Sequence, residues 1–543
     1  MKPTTLLPPL FAALLARSQS CPDYSLYSQQ RHPPFSTGRY QLSSMRPSPA
    51  CRTFNSSDVE DLLSRMSASV ADPDLYRLFE NSYPNTLDTA IRWRGAAADD
   101  PAEELTFVIT GDIDAMWLRD SANQMQSYLP VLSRDNGSDS IAGLYRGVIN
   151  LQARYLLTSP FCNSFQAPAE SGIPPATNGA AAGDSVTPPY DPAAVFECKY
   201  ELDSLAAFLE VSADYYEGTG DAGFFGRFKW LSAVRAVLDV AKSMRTTPTY
   251  GADGAVLESP YLFSRQTTRA TETFANDGLG NPVANGTGLI RSGFRPSDDA
   301  TVFQLFIPAN MMFARYLEPT AEIVGKLGDK APAGLAEEIS ALARELREAI
   351  ETYGVVPLAP TPGGGGLGAA GETVYAYEVD GFGGAVIMDD ANIPSLLAAP
   401  FFGYLNKSDA TYQRTRKRIL DADAVNGNPY FMRGPVINSV GGPHVGPGAA
   451  WPMASIVRIL TSDDEAEIST ALREIVSSTD GYGLIHESVN TFDAGRWTRQ
   501  WFSWANGLFG QMILDLHNRK PHILKQSFQG CKSSTRRSVK KVL

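Results

Sequence analysis

The spacing of apolar residues limits this chain to a mainly helical fold. From about residue 58 onward, apolar residues recur three or four positions apart, and few stretches alternate as strands do. In 333–354, for example, Leu335, Ile339 and Leu342 share one face, with Glu and Arg residues between them. On the order of a dozen such segments predict an all-α protein. The predicted helices span 59–71, 74–92, 118–132, 143–157, 200–216, 225–244, 301–317, 333–354, 412–422, 451–460, 465–478 and 497–517.

Three long connectors separate some of these helices. They cover 166–192, 361–371 and 427–450, and all are rich in Gly, Pro or other small residues. Loops longer than about fifteen residues in a compact domain are usually functional or disordered. A chain of 543 residues has room for two domains or for one large toroid or barrel. The pattern favours a toroid of helical hairpins whose loops converge at one mouth.

Composition excludes several classes of protein. Hydrophobic residues make up 43% and charged residues 20% of the chain, as in soluble globular proteins. The net charge of −12 argues against a nucleic-acid partner, because a phosphate backbone attracts basic surfaces. No segment approaches about twenty uninterrupted apolar residues, so we expect no stable membrane insertion.

The first twenty residues predict a secretory signal peptide. Lys2 precedes an apolar run over 6–16, and small residues follow. The alternative is a signal anchor, although the run is short for a membrane span. Four Asn-X-Ser/Thr sequons agree with passage through a glycosylating compartment, so we expect a location in the secretory pathway or outside the cell. The sequons are at Asn55, Asn136, Asn285 and Asn406.

Five cysteines permit one or two disulfides in an oxidising compartment and leave at least one thiol unpaired within the chain. They are Cys21, Cys51, Cys162, Cys198 and Cys531. No CxxC or HExxH motif occurs, so the common zinc signatures are absent.

The segment 111–121, GDIDAMWLRDS, combines three carboxylates, an arginine and a tryptophan. Carboxylates and arginine bond to pairs of sugar hydroxyls, and an indole face covers the apolar side of a pyranose ring. Similar clusters lie at 196–204 (FECKYELDS), 293–300 (GFRPSDDA) and 486–493 (HESVNTFD). Segments this far apart indicate an enclosed cavity. Asp112-X-Asp114 is also a metal-binding pattern in some glycosyltransferases, but no nucleotide-binding α/β pattern surrounds it.

Paired carboxyl groups are the best candidates for the chemistry. Two of them facing each other across a glycosidic bond suffice for its hydrolysis. Asp298 and Asp299 precede the predicted helix 301–317, so Ser297 or Asp298 also suits a helix N-cap. One aspartate then caps the helix while the other enters the cavity.

A third acid, Glu487, lies in the turn before the predicted helix 497–517. The alternative for Glu487 is an exposed loop acid, and His486 beside it either orients a substrate hydroxyl or packs inside the protein. Trp497, Trp501 and Trp504 recur at helical spacing, and we expect at least two of them in the core.

The motifs TGDIDAMWLRDS, KYELDSL, FRPSDDA, MDDANIPSLL, GGPHVGPGAAWP and HES…RQWFSWANGLFG stand in order over roughly three quarters of the chain. Together they resemble glycoside hydrolase family 125, the exo-α-1,6-mannosidases, in particular a fungal branch with signal peptides. The resemblance implies an (α/α)6 toroid, removal of non-reducing terminal α-1,6-linked mannose with inversion, and no metal or other cofactor. The implied domains are the signal peptide (1–20), an N-terminal extension (21–57), the catalytic domain (58–520) and a basic tail (521–543).

The resemblance also assigns roles to residues. It makes Asp298 or Asp299 the general acid, of which we favour Asp299, and Glu487 the general base. The acid should have a raised pKa, and inversion places the two carboxyl groups about 6.5 to 9.5 Å apart. Other residues implied to contact the mannose-containing substrate are Asp112, Trp117, Arg119, Asp120, Asp203, Arg295, His444 and His486.

The chain departs from the family at 196–200, where FECKY replaces the common WERKY. Two alternatives to the assigned function stay open at this point. One is a helical-toroid exo-glycosidase of other specificity, such as a glucoamylase-like α-glucosidase. The other is a non-catalytic carbohydrate-binding protein.

Overall fold

The structure, a computed structural model, describes residues 21–135, 137–246, 250–358, 372–421 and 427–529. The predicted signal peptide (1–20), the sequon at Asn136, the connector 361–371, Cys531 and most of the basic tail lie outside these ranges.

Thirteen α-helices occur within the described ranges. They are α1 Tyr24–Tyr27, α2 Ser57–Ser69, α3 Pro73–Ser82, α4 Leu118–Gln126, α5 Ile141–Thr158, α6 Leu202–Thr219, α7 Trp230–Ser243, α8 Ile307–Leu327, α9 Leu335–Ala349, α10 Ala410–Ile419, α11 Pro452–Leu460, α12 Glu465–Ser477 and α13 Ser503–Arg519. Side-chain caps begin several of them, such as Asp72 before α3, Ser140 before α5 and Asp464 before α12.

Helix packing forms the predicted (α/α)6 toroid. The inner helices α11, α13, α4, α6 and α8 pack in that order around the ring. Outer helices pack over these inner helices; for example, α9 packs on α8 and α12 packs on α11. The inner helix α6 is buried on nearly all sides, whereas α9 buries only its apolar stripe. The sequence shows the apolar stripe of α9 but not the full burial of α6, whose buried residues include Asp203, Glu210 and Asp214.

Seventeen short strands lie in the connections between helices in the part of the chain that the structure describes. They are β1 Ile91–Ala96, β2 Glu104–Val108, β3 Met116–Trp117, β4 Ser164–Phe165, β5 Asp184–Thr187, β6 Val195–Glu197, β7 Leu262–Arg265, β8 Leu305–Phe306, β9 Val355–Pro357, β10 Thr373–Tyr375, β11 Glu378–Val379, β12 Ala385–Val386, β13 Phe431–Met432, β14 Ser439–Val440, β15 Ala449–Ala450, β16 Ser488–Asn490 and β17 Asp493–Thr498. They pair antiparallel in small sheets, of which β3-β4-β6 and β15-β16-β17 flank the site described below.

Several predicted helix boundaries are wrong; for example, the helix predicted at 118–132 ends at Gln126 and the helix predicted at 225–244 begins at Trp230. The helix predicted at 301–317 begins at Ile307 and ends at Leu327, and just before it Glu378 Oε2 accepts the backbone N–H groups of Val302 and Phe303. Neither Asp298 nor Ser297 therefore caps it. The helix predicted at 497–517 begins at Ser503, since 493–498 pairs as β17. The helix predicted at 74–92 ends at Ser82, and its last residues enter β1.

Two disulfides join Cys21 to Cys51 and Cys162 to Cys198. The first closes the N-terminal extension, which lies against the toroid through contacts such as the Tyr24 ring on Trp501, 4.7 Å between centroids. Within the described ranges, no helix is long and apolar enough to cross a membrane.

Candidate active site

A pocket of about 180 Å³ lies where the loops at one end of the inner helices meet. It collects residues from five separate parts of the chain, as the dispersed motifs predicted. Six of the predicted site residues line it: Trp117, Arg119, Asp120, Asp298, His444 and Glu487. The other lining residues are Thr110, Ile113, Pro296, Ser297, Asn392, Trp451, Arg499 and Phe502.

A tight turn carries Asp298 into the pocket. The backbone N–H of Arg295 donates to the Asp299 carbonyl at 2.8 Å, and the Asp298 N–H donates back to the Arg295 carbonyl at 2.9 Å. Asp298 has φ +67°, a left-handed conformation that costs free energy in any residue other than glycine. Such strain is typical of functional positions, and here it turns Asp298 and Asp299 in different directions.

Glu487 lies on the edge of the β15-β16-β17 sheet. Its backbone N–H donates to the Thr498 carbonyl, and its Oε2 accepts from the Thr498 hydroxyl at 2.9 Å. Arg499 Nη1 is 3.6 Å from Glu487 Oε1, so a positive charge stands beside this carboxylate. The Arg499 side chain also donates to Asp112 at 2.7 Å, which fixes its position.

A buried group of charges lies behind Asp298. Arg119 Nη1 donates to Glu201 Oε2 at 2.5 Å and to Asp203 Oδ2 at 2.9 Å. Lys199 Nζ is 3.7 Å from Asp298 Oδ1. The disulfide between Cys162 and Cys198 anchors the segment that carries Lys199. Buried charges persist only when they are paired in this way.

We expected the general acid to have a raised pKa, and the acids around the pocket differ in this respect. Burial raises the pKa of Glu201 well above its usual value, and the charges of Asp203 and Asp298 add to the effect. Burial also raises the pKa of Asp120 to about 6. For Asp298 burial acts in the same direction, but Lys199, Arg119, His444 and a hydrogen bond from Glu201 together hold its pKa below the usual value. Glu201, with a raised pKa, and Asp298, with a lowered pKa, are therefore electrostatically coupled neighbours.

Asp299, which we favoured as the acid, lies outside the pocket lining and is only 1% exposed. Its carboxylate accepts a hydrogen bond from Ser297, whose hydroxyl also donates to Asp390 at 2.7 Å. Burial, opposed by His444 and reinforced by Asp390, raises the pKa of Asp299 to about 6. Asp299 thus belongs to the supporting network around the turn, and Asp298 is the aspartate at the pocket.

Four other predicted contact residues also lie away from the pocket lining. Asp203 is buried behind Arg119, and Asp112 faces a neighbouring cleft. Arg295 donates to Glu378 at 2.6 Å and so supports the turn. His486 stacks on Trp497, 4.2 Å between ring centroids, and burial lowers its pKa to about 4. Of the three tryptophans, Trp501 and Trp504 are buried, as expected.

Several site residues were missed by sequence reasoning. Lys199 and Glu201 lie inside the motif KYELDSL, and Arg499 lies inside RQWFSW. The motifs therefore included these residues, but nothing in the sequence assigned them a role. Trp451 and Asn392 enter the pocket from two other motifs. At the FECKY departure, Phe196 packs edge-on against Trp117 with ring centroids 5.5 Å apart, and Cys198 forms a disulfide.

A small pocket with carboxylates, an arginine and tryptophans in its wall, at the loop end of an (α/α)6 toroid, defines a glycoside hydrolase. No group of three or more His, Cys, Asp or Glu side chains in the described part of the chain could hold a metal ion. The chain belongs to the GH125 family of metal-independent alpha-mannosidases, whose family model matches residues 72–514.

The chain is also similar to individual proteins. The "Meiotically up-regulated gene 157 protein" of Schizosaccharomyces pombe is 45% identical over 510 residues, which cover 94% of this chain and 95% of the relative. A metal-independent alpha mannosidase of Streptococcus pneumoniae, solved in a non-productive complex with alpha-1,6-mannobiose, is 31% identical and has a TM-score of 0.70. That match covers 86% of this chain and 99% of the bacterial one. A bacterial glucoamylase complexed with acarbose is 12% identical, with a TM-score of 0.47 over 83% of this chain and 56% of that chain.

Proposed function

We propose that the protein is an exo-acting α-1,6-mannosidase that removes a terminal mannose with inversion of configuration. The observation that carries this proposal is the size of the pocket together with the acids in its wall. At about 180 Å³ the pocket holds a single sugar ring rather than a chain. Pockets for drug-sized ligands span about 300 to 1,000 Å³. The α-1,6 linkage is proposed because the related Streptococcus pneumoniae enzyme was solved with alpha-1,6-mannobiose.

In the proposed mechanism Asp298 is the general acid. It takes a proton from Glu201 and passes it to the glycosidic oxygen as the bond to the leaving sugar breaks. Burial by the bound sugar weakens the ionised form of Asp298 and so favours this transfer. Lys199 and Arg119 hold these acids in place through their ion pairs.

Glu487 is the proposed general base. Its carboxylate removes a proton from a water molecule that attacks the anomeric carbon from the opposite face, and inversion requires about 6.5 to 9.5 Å between the two carboxyl groups. Arg499 keeps Glu487 oriented through its ion pair. Trp117 and Trp451 supply apolar surface for the sugar ring.

The Glu487→Gln variant tests the base. We expect turnover of α-1,6-mannobiose to fall by about 10² to 10⁴, because the amide cannot accept the proton of water. Binding of mannobiose should persist, since the amide has the same shape. NMR of the wild-type reaction should show the β-anomer of mannose first. Turnover by the variant at the wild-type rate, or initial release of the α-anomer, contradicts the mechanism.

A comparison of Asp298→Asn with Asp299→Asn identifies the acid. We expect Asp298→Asn to lose about 10² to 10⁴ in kcat on mannobiose and to recover most of it on a 2,4-dinitrophenyl mannoside, whose leaving group needs no protonation. Asp299→Asn should lose similar fractions of activity on both substrates, since it disturbs only the support of the turn. The reverse pattern assigns the acid to Asp299.

We also propose that the protein passes through the secretory pathway. Both disulfides are typical of an oxidising compartment. The three described sequons, at Asn55, Asn285 and Asn406, are exposed and thus open to glycosylation.

A further inference from the structure

A second cavity, which we call the N-terminal cleft, lies beside the pocket and has a volume of about 690 Å³. One wall comes from the N-terminal extension, at 21–27 and 47–53. The other comes from the toroid, at 88–92 and 109–114, together with Trp501. The family model begins at residue 72, so half of this cleft is built by a segment outside the family match.

The extension holds a defined conformation over the cleft. The disulfide between Cys21 and Cys51 closes it into a loop. The Tyr24 hydroxyl donates to the Met45 carbonyl at 2.8 Å, inside that loop. Together with the contact of Tyr24 on Trp501, these links fix the wall that the extension contributes.

The cleft and the pocket share a wall. Along 110–114, Thr110 and Ile113 line the pocket, whereas Gly111, Asp112 and Asp114 line the cleft. Likewise, Trp501 lines the cleft and Phe502 lines the pocket. Since consecutive Cα atoms are about 3.8 Å apart, these five residues span at most about 15 Å. A chain of a few sugars that starts in the pocket is long enough to reach the cleft.

The charges in the cleft are largely paired already, and a neutral ligand therefore suits it better than an ion. The pairs are Asp88 with Arg46, Asp112 with Arg499, and Asp114 with Arg92. The last pair is exposed on both sides and therefore weak, so its members are free to bond to hydroxyl groups.

The uncharged part of the lining completes a surface for sugars. Tyr27 is half-buried and stacked on His32, 3.6 Å between ring centroids, so its ring is held rigidly at the cleft. The hydroxyl groups of Ser25 and Ser48 stand nearby. Rigid aromatic surface beside hydrogen-bonding groups is the combination that binds the two sides of a sugar ring.

We propose that the N-terminal cleft binds the part of the mannose-containing glycan that lies beyond the two sugars joined by the bond being cleaved. The proposal rests on the proposed function of the neighbouring pocket. It predicts a preference for substrates longer than a disaccharide, and it places this preference in the N-terminal extension.

The Ser48→Trp variant tests this role by filling the cleft. Ser48 is exposed and its side chain makes no capping hydrogen bond, so the variant should fold. For the wild type we expect kcat/KM to be about fivefold or more higher on an α-1,6-linked mannotetraose than on mannobiose. Ser48→Trp should remove this gain and leave kcat/KM on mannobiose within about twofold of the wild-type value.

Gln30→Trp is the matched control, because Gln30 is an exposed residue of the same extension that does not line the cleft. It should keep the wild-type preference for the longer substrate. Tyr27→Ala is a second variant that removes aromatic surface instead of adding bulk, and it should also reduce the preference.

Each result separates this inference from the proposed function. The cleft proposal alone is overturned if the wild type cleaves mannobiose but has no higher kcat/KM on mannotetraose. It is also overturned if Ser48→Trp keeps the higher kcat/KM on mannotetraose. Absence of mannobiose turnover overturns the proposed function. In that case, calorimetric titration of the wild type and Ser48→Trp with mannotetraose still tests the cleft proposal. Weaker binding to the variant supports the proposal, and equal binding rejects it.

Discussion

At the scale of residues, the site depends on one strained turn. Asp298 and Asp299 are adjacent and chemically identical, yet one faces the pocket and the other the supporting network. The positive φ of Asp298 causes this division. Behind the turn, burial raises the pKa of Glu201, whereas the pKa of the neighbouring Asp298 is lowered.

The Glu201→Gln variant should shift the pH profile of the enzyme. In the wild type, the pair of Glu201 and Asp298 keeps one proton until the pH exceeds the raised pKa of Glu201. In the variant, only Asp298 can hold that proton, and its pKa lies below the usual value. The alkaline limb of kcat/KM should therefore move to lower pH, by about one unit or more.

Ser204→Ala is the control for this shift. The Ser204 hydroxyl donates to Glu201 Oε2 at 3.0 Å, so its removal disturbs the same carboxyl group and leaves its proton in place. Its alkaline limb should stay near that of the wild type. If Glu201→Gln keeps the wild-type profile and loses only rate, Glu201 has a purely structural role.

At the scale of elements, helix α13 joins the site to the ring. The segment before it carries Arg499 and Phe502 into the pocket, and the helix then packs between α11 and α4. Gly510, in the middle of α13, approaches the end of α3 very closely. A Cβ atom at this position would lie 2.7 Å from the Cα of Tyr83.

Gly510→Ala should therefore destabilise the protein. The added methyl group meets the backbone and the fully buried side chain of Tyr83, so α13 must shift, at a cost of about 1 to 3 kcal/mol. The midpoint of urea unfolding should fall, and activity should decrease because α13 follows directly on the pocket segment.

Gly325→Ala in α8 provides the comparison. A Cβ atom there meets nothing within 4 Å, so only the helix propensity changes. We expect this variant to gain about 0.5 to 1 kcal/mol of stability at unchanged activity. If both variants have the same midpoint, close packing at Gly510 does not limit the position of α13.

At the scale of the whole molecule, the toroid, the disulfides and the N-terminal extension act together. The ring brings 110–120, 296–298 and 487–502 to one pocket, and the extension adds the neighbouring cleft. One disulfide closes the extension and the other anchors the segment with Lys199. The two disulfides thus support both cavities.

Protein isolated from its native cells should carry N-glycans, because the sequons at Asn55, Asn285 and Asn406 are exposed. Treatment with an N-glycanase should increase its mobility in gel electrophoresis. A variant with all three asparagines changed to Gln should lose this response, apart from any contribution of Asn136. Unmodified protein with free thiols at Cys162 and Cys198 contradicts passage through the secretory pathway.

The sequence by itself determined the helices of the ring and the residue types of the site. Helical periodicity is a local property, so α9, α11 and α12 appear in the sequence nearly at their true bounds. The motifs that supply Trp117, Arg119 and Glu487 were likewise visible, because clusters of acids and aromatics are unusual outside a binding site.

Only the tertiary structure decided which members of those motifs meet. Strands of two residues have no period to detect, and their pairing depends on distant partners, as with β3 and β4. Asp298 rather than Asp299 faces the pocket because of the backbone conformation at Asp298, and the two identical side chains do not specify that conformation. The raised pKa of Glu201 and the cleft under the extension likewise arise from segments that are far apart in sequence and become neighbours only when the ring closes.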